Sequence, residues 1–213
     1  MKNTKTVILD TAERLFAARG IHSVSVRTIL AEAGVNVALA HYYFRSRDGL
    51  IRDVLRRRIE PLNEERLRLL DEIEAAAGPS GPTLDAVLRA LFAPVVDLLD
   101  EHPEFARLVG QLHIASTAEL RQVFYELFAV VLRRFSDAIK RGLPAGLADW
   151  QVLSRGHFTL GAMILTLTNY SDLALIARGR YEVPRGERLL QELVTFCAAG
   201  LTAPSQGRGT ATP

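Results

Sequence analysis

Cysteine is almost absent from this chain: Cys197 stands alone among 213 residues. One thiol excludes an internal disulfide and suits a reducing cytoplasm. Cys197 lies in an apolar helical stretch, where a thiol is inert as a rule. Metal-ligand spacing is missing too. His22, His41, His102, His113 and His157 pair neither with one another nor with the cysteine at zinc-like intervals. There is no glycine-rich phosphate loop and no Gly-x-Ser-x-Gly elbow. The expectation is therefore no cofactor, no metal and no enzyme. No basic, then apolar, then small-residue signal peptide opens the sequence. The most apolar run, around residues 161–167, is too short to span a bilayer. A cytoplasmic chain that does not enter the membrane is expected. Alternating strand patterns and internal repeats are lacking as well, which leaves helices.

What is present is apolar periodicity and an uneven charge. Apolar residues make up 48% of the chain, so it has a core to bury. The net charge of +2 hides an asymmetry. Residues 1–60 hold 11 Lys/Arg against 6 Asp/Glu, whereas the remainder holds 15 against 18. A basic amino-terminal part on a mildly acidic body fits a phosphate-facing head.

The most informative stretch runs from Ser25 to Phe44. Ser25 reads as an N-cap. Val26, Ile29, Leu30 and Ala33 follow at i, i+3, i+4 and i+7, which makes one apolar face. Gly34 supplies the positive φ that ends a helix. Asn36 then caps a second helix over Val37 to Phe44. Helix, glycine turn, helix within about 20 residues is the helix-turn-helix pattern, whose second helix enters the DNA major groove. An ordinary helix corner in a core is the competing reading of the spacing. Upstream, Ile8, Ala12, Leu15 and Phe16 carry a helix that Gly20 stops. Downstream, Ser46 caps a long helix with Asp48 in its first turn, where the helix dipole favours an anion.

The segment from Thr4 to Leu62 resembles the DNA-binding domain of the TetR/AcrR family of transcriptional regulators. The residues that carry the resemblance are Ile8 to Phe16, Gly20, Val26-Arg27-Thr28-Ile29, Ala33-Gly34-Val35-Asn36, Tyr42-Tyr43-Phe44 and Ser46 to Leu50. The resemblance implies an all-α fold of about nine helices. It places an N-terminal three-helix helix-turn-helix DNA-binding domain at 4–62. A C-terminal helical ligand-binding and dimerisation domain follows at 63–201, with a disordered tail at 202–213.

Function follows as expectation. Ser25 and Arg27, at a helix start, and Arg47, at the start of the long helix, are candidates for phosphate contact. Arg45 is a weaker one. Asn36, Val37, Ala38, His41 and Tyr42 are the outward residues of the second helix. Tyr43 stands where family members often carry histidine, and His41 where they often carry tyrosine. No Gln, Arg or Lys occurs between Val37 and Phe44. Base reading then rests on Asn36, His41, thymine methyls and DNA shape.

Beyond residue 62 the chain reads as helices to Ala77, from Thr83 to Glu101 with Pro94 bending or breaking it, over Glu104 to His113, and from a Ser116–Glu119 capping box to Arg141. Two more follow, over 149–177 and 184–201. The resemblance implies a homodimer through these last two helices. Leu160, Met163, Ile164, Leu167, Leu189, Leu190, Leu193, Val194 and Cys197 offer apolar faces for it. It also implies an effector pocket for a small hydrophobic molecule, such as a fatty acid, an acyl-CoA or a xenobiotic. Its candidate residues are Phe92, Arg107, Gln111, His113, Phe124, Tyr125, Phe128 and Asn169. The expected function is a repressor that binds a pseudo-palindromic operator as a homodimer and leaves it when the effector binds. The alternatives are a helical ligand- or protein-binding dimer without DNA binding, and a cofactor-free helical enzyme.

Overall fold

The computed structural model describes residues 3–36, 42–106, 108–109 and 118–204. Eight helices lie among them: α1 (Thr4–Arg19), α2 (Val26–Ala33), α3 (Arg47–Ala77), α4 (Leu84–Glu101), α5 (Ala118–Arg141), α6 (Asp149–Asn169), α7 (Leu173–Ala177) and α8 (Gly186–Thr202). Residues 42–44, 103–106 and 108–109 are helical as well, and no strand occurs among the described residues. The all-α expectation holds.

Local chemistry places the ends of the head helices. The Ser25 hydroxyl accepts from the Thr28 amide at 3.1 Å, and the Ser46 hydroxyl accepts from the Gly49 amide at 3.0 Å. Each satisfies an amide that the first helical turn leaves without a partner. Gly34 ends α2 at φ 66° and donates to Ala31 O, while the Val35 amide reaches Leu30 O at 3.0 Å. Gly20 ends α1 at φ 79°.

The helices build a head and a body around one long rod. α1 packs on α2 and α3; α3 continues past the head to pack on α4 and α5; α8 lies against α4 and α6. Ile8, Ala12, Leu15, Phe16, Ile29, Leu30, Phe44, Leu50, Ile51 and Val54 form the head's buried core. That core does not close on itself. It runs on into Phe105, Leu108, Val123 and Phe124 of the body. The expected junction at 62/63 falls inside α3, so one rod and one continuous apolar cluster join head to body.

Pro61 lies inside α3 with its ring exposed, and the helix continues past it. Three sequence expectations change. Pro94 does not end α4, because Val87, Leu88, Phe92, Val95 and Val96 bury the helix on both sides of it. Tertiary burial outweighs one missing hydrogen bond. The single helix expected over 149–177 is two, α6 and α7, with a 3₁₀ turn at Tyr170–Asp172 between them. There Asn169 Nδ2 donates to Asp172 Oδ2 at 3.2 Å, and the Thr168 hydroxyl donates to Ile164 O at 2.9 Å. Such local bonds compete with the helical ladder.

The third change concerns the faces of α6 and α8. Met163, Leu167, Leu189, Leu190, Leu193, Val194 and Cys197 are buried in the chain's own core against Leu88, Phe92, Val95 and Val96 of α4, with Leu160 packed at its edge. They are not available to a second copy. The exposed apolar residues of α6 lie elsewhere, at Trp150, Leu153, Phe158 and Leu165, and α8 exposes Phe196. The sequence-chosen face was the more strongly apolar one, and a core claims that face first. The tail residues 205–213 and the Ser116–Thr117 part of the capping box lie outside the described residues.

Candidate nucleic-acid interface

The two capped helix starts lie side by side. From the first turn of α3, Arg47 Nη2 donates to Ile21 O and Val24 O, the second at 3.4 Å, so its guanidinium spans to the connection just before Ser25. Two sets of amide-rich, partially positive helix ends thus share one edge of the head. Arg47 is half-buried there, and its Nη2 is committed to protein carbonyls. The free backbone clamp expected from the sequence is therefore, in this structure, a brace between two helix starts.

Ser25, Arg27 and Asn36 are exposed. Ser25 also bonds the Thr28 hydroxyl at 2.8 Å, which fixes the cap. Tyr42 is 79% exposed and meets Tyr43 edge-on at 5.2 Å, while Tyr43 is half-buried and Phe44 sits in the head core. A ladder of three aromatics thus passes from solvent to core. Arg45 follows at φ 59°, an uncommon left-handed turn for a residue other than glycine, before Ser46 opens α3. Val37, Ala38 and His41 lie outside the described residues.

Most of the head's acids are engaged in ion pairs away from this edge, while Asp48 stands exposed in the first turn of α3. Lys5 pairs with Asp53 at 2.7 Å and Arg14 with Glu32 at 2.6 Å. Arg57 holds Asp10 at 2.6 Å and also Glu13; Arg58 holds Glu13 at 3.0 Å and approaches His102 Nε2 at 3.2 Å. Burial alone would lower the Arg57 guanidinium, but its bonds to Glu13 and Asp10 outweigh burial and raise it. This network lines a polar cleft between head and body that reaches Glu104 and Phe105. Arg27, Arg45 and Arg47 have no carboxylate partner among the described residues, so at the helix starts they outnumber Asp48, the acid in the first turn of α3.

The residues expected around an effector are scattered. Phe92 is buried in the body core, and Phe124 in the cluster shared with the head. Phe128 stacks on Phe124 at 5.6 Å between ring centroids. Tyr125 is 71% exposed and Asn169 is exposed on the far side of α6, bonded to Asp172, so neither joins these rings. The reason is helical rotation: position 125 lies about 100° from 124, which turns it to solvent. Arg107, Gln111 and His113 lie outside the described residues. Two residues missed by the sequence reading meet Phe128 and the body core instead. These are Asn63 and Arg66 on α3, both buried. Their signal was present: positions 55, 59, 63, 66 and 70 continue one inward stripe, and two of its members are polar.

Burial pushes the Cys197 thiol up to about 11, far from a thiolate at neutral pH. No group of three metal-ligating side chains occurs among the described residues. No helix among them is long and apolar enough to cross a membrane.

Comparison with known proteins agrees with this geometry. A family model described as bacterial regulatory proteins, tetR family, matches residues 8–54. Another, described as tetracyclin repressor-like, C-terminal domain, matches residues 89–200. The HTH-type transcriptional repressor KstR2 of Rhodococcus jostii is 29% identical over 132 residues, 60% of this chain and 63% of that one. The HTH-type transcriptional regulator YerO of Bacillus subtilis is 21% identical over 170 residues, 77% of this chain and 57% of that one. The match thus spans about three fifths of each relative's length. Among solved structures, a transcriptional regulator FadR from Bacillus subtilis in complex with stearoyl-CoA superposes with a TM-score of 0.64 at 18% identity, covering 92% of this chain and 98% of that one. A TetR-family regulator from Syntrophomonas wolfei gives 0.65 at 14% identity, covering 96% and 98%.

Proposed function

This chain belongs to the tetR family of bacterial regulatory proteins, and from that premise we propose that it is a cytoplasmic, ligand-responsive repressor that binds a pseudo-palindromic operator as a homodimer. The observation that carries the reading is the shared edge of the head. Two capped helix starts stand side by side, with Arg27, Arg45 and Arg47 around them in no ion pair among the described residues. That is a surface built for phosphates.

Ser25 and Arg27 hold the backbone on one flank. Arg47 adds its charge to the same field while bracing the two helix starts. Asn36, Val37, Ala38, His41 and Tyr42 face the groove, with Tyr43 as their support against Phe44. Two heads about one helical turn apart read the two half-sites. The heads are joined through the exposed apolar face of α6 and α8. A small hydrophobic effector enters the body, and a coupling of about 1–3 kcal/mol between effector and operator suffices for a switch. The FadR neighbour, solved with stearoyl-CoA, is in keeping with an effector of that character.

The test is selection of bound fragments from sheared genomic DNA at near-physiological salt with competitor. Enrichment of one or a few pseudo-palindromes supports the regulator. No enrichment, from dimeric protein stripped of ligand by unfolding and refolding, overturns it. Arg27→Ala then separates phosphate from base contact. Its expected effect is a salt slope shallower by about one unit per head, with sequence preference kept. An unchanged slope removes Arg27 from the interface.

A further inference from the structure

Arg66 sits where the body's apolar clusters meet. It is 2% exposed. Its Nε donates to Leu91 O at 2.9 Å, Nη1 to Asn63 Oδ1 at 3.2 Å and Nη2 to the Met163 sulfur at 3.4 Å. Its guanidinium carbon lies 5.9 Å from the centroid of the Phe128 ring. Leu91 packs in two of the clusters, Met163 belongs to one, and Phe128 borders the one shared with the head. Asn63, whose Nδ2 donates to Leu127 O at 2.8 Å, fixes the near side.

Every one of these partners is neutral. Among the described residues no carboxylate pairs with Arg66, and burial alone governs its titration, lowering it to about 9. It is still a cation at neutral pH. A buried cation without a counter-charge is among the costliest arrangements a core can hold. Chains commonly avoid it with a paired acid or an apolar residue, and this chain has neither at that place.

We propose that Arg66 is the anion-recognising group of the effector site, and that the effector is an amphiphile with one carboxylate on an apolar tail. The proposal rests on the reading that the body of this regulator receives its effector. A planar guanidinium offers a carboxylate two parallel N–H bonds. The Met163 sulfur is the weakest acceptor now bound, and its unbranched side chain yields easily, so a carboxylate oxygen takes its place on Nη2. The surrounding Leu91, Phe128 and Met163 suit an aliphatic tail. The bulky, multiply charged head of a CoA thioester does not suit a single cation so deeply covered. Because Asn63 and Arg66 lie on α3, whose first turn braces the helix-turn-helix through Arg47, the ligand acts on the rod that positions the head.

The experiment uses the full chain, stripped of bound lipid by unfolding and refolding. Octanoate, dodecanoate and octadecanoate, their primary alcohols and their CoA thioesters are titrated at pH 7 by calorimetry and thermal shift. At least one acid is expected to bind more than tenfold tighter than its alcohol and its thioester. Arg66→Met is expected to lose that preference, while melting no lower than the unliganded parent because an uncompensated charge is gone. Equal binding of acid and alcohol overturns the proposal, as does an acid preference that survives in Arg66→Met or a failure of every acid to bind. If Arg66→Met does not fold, the acid-against-alcohol comparison on the parent decides alone. Operator selection is scored separately. Operator binding without acid preference sinks the Arg66 site and leaves the regulator standing. Acid preference without an operator does the reverse.

Discussion

Leu153→Glu combined with Phe196→Glu is expected to turn the proposed homodimer into a folded monomer and to weaken operator binding by at least about 100-fold. The two side chains are 76% and 71% exposed on α6 and α8. Trp150, Phe158 and Leu165 extend the same exposed apolar surface along α6. Trp150, Leu153, His157, Gly161 and Leu165 follow at helical spacing, so they line one stripe. A soluble chain seldom leaves that much large apolar area in water without a partner. A carboxylate on each helix places like charges opposite one another across a two-fold interface, since each residue meets its symmetry mate or a close neighbour. Neither side chain belongs to the chain's own core, so helix content should persist. One head then binds alone, and the gain from a second, tethered head disappears. Sedimentation gives the mass, circular dichroism the helix content, and a salt-controlled titration the affinity. A variant that stays dimeric places the interface on another surface.

Gly49→Ala is the second large effect, and it strikes the head itself. Gly49 sits in the first turn of α3, its amide held by the Ser46 hydroxyl. A Cβ there would lie 2.1 Å from Phe44 O and 3.3 Å from Phe44 C. The obstacle is backbone, so no side chain can swing aside. Phe44 O is also the acceptor for the Ser46 amide at 2.6 Å, and Arg45 between them already occupies a left-handed turn at φ 59°. The substitution must therefore push the last turn of the second helix of the motif away from α3. A loss on the order of 3 kcal/mol in urea unfolding is expected, with operator affinity falling as well. Gly34→Ala is the contrast. A Cβ at Gly34 meets nothing within 4 Å, and only its φ of 66° is unfavourable, so about 1–2 kcal/mol should be lost. Equal losses at the two positions would mean that the contact with Phe44 relaxes without consequence.

The sequence by itself determined the local frame of the head. Ser25, Gly34 and Ser46 act on amides and carbonyls three to five residues away, so their caps are legible from spacing and side-chain chemistry alone. The apolar stripes of α1, α2 and the first half of α3 are legible for the same reason, and so is the all-helical class. The grouping of the two helix starts was only half legible. Arg47 was visible as a cation, but the carbonyls it braces lie more than twenty residues upstream, and no periodicity encodes that reach. Residues remote in the chain decide the rest. Whether the apolar face of α6 and α8 turns inward depends on α4, which takes the stronger face and leaves Leu153 and Phe196 outside. Whether Pro94 ends its helix depends on the burial around it. Arg66 looks like any surface arginine in the sequence, because a search for apolar period passes over a polar residue in an inward position. Only the convergence of α3, α4, α5 and α6 makes it a buried, unpaired cation, since burial of charge is a property of the surroundings and not of the residue.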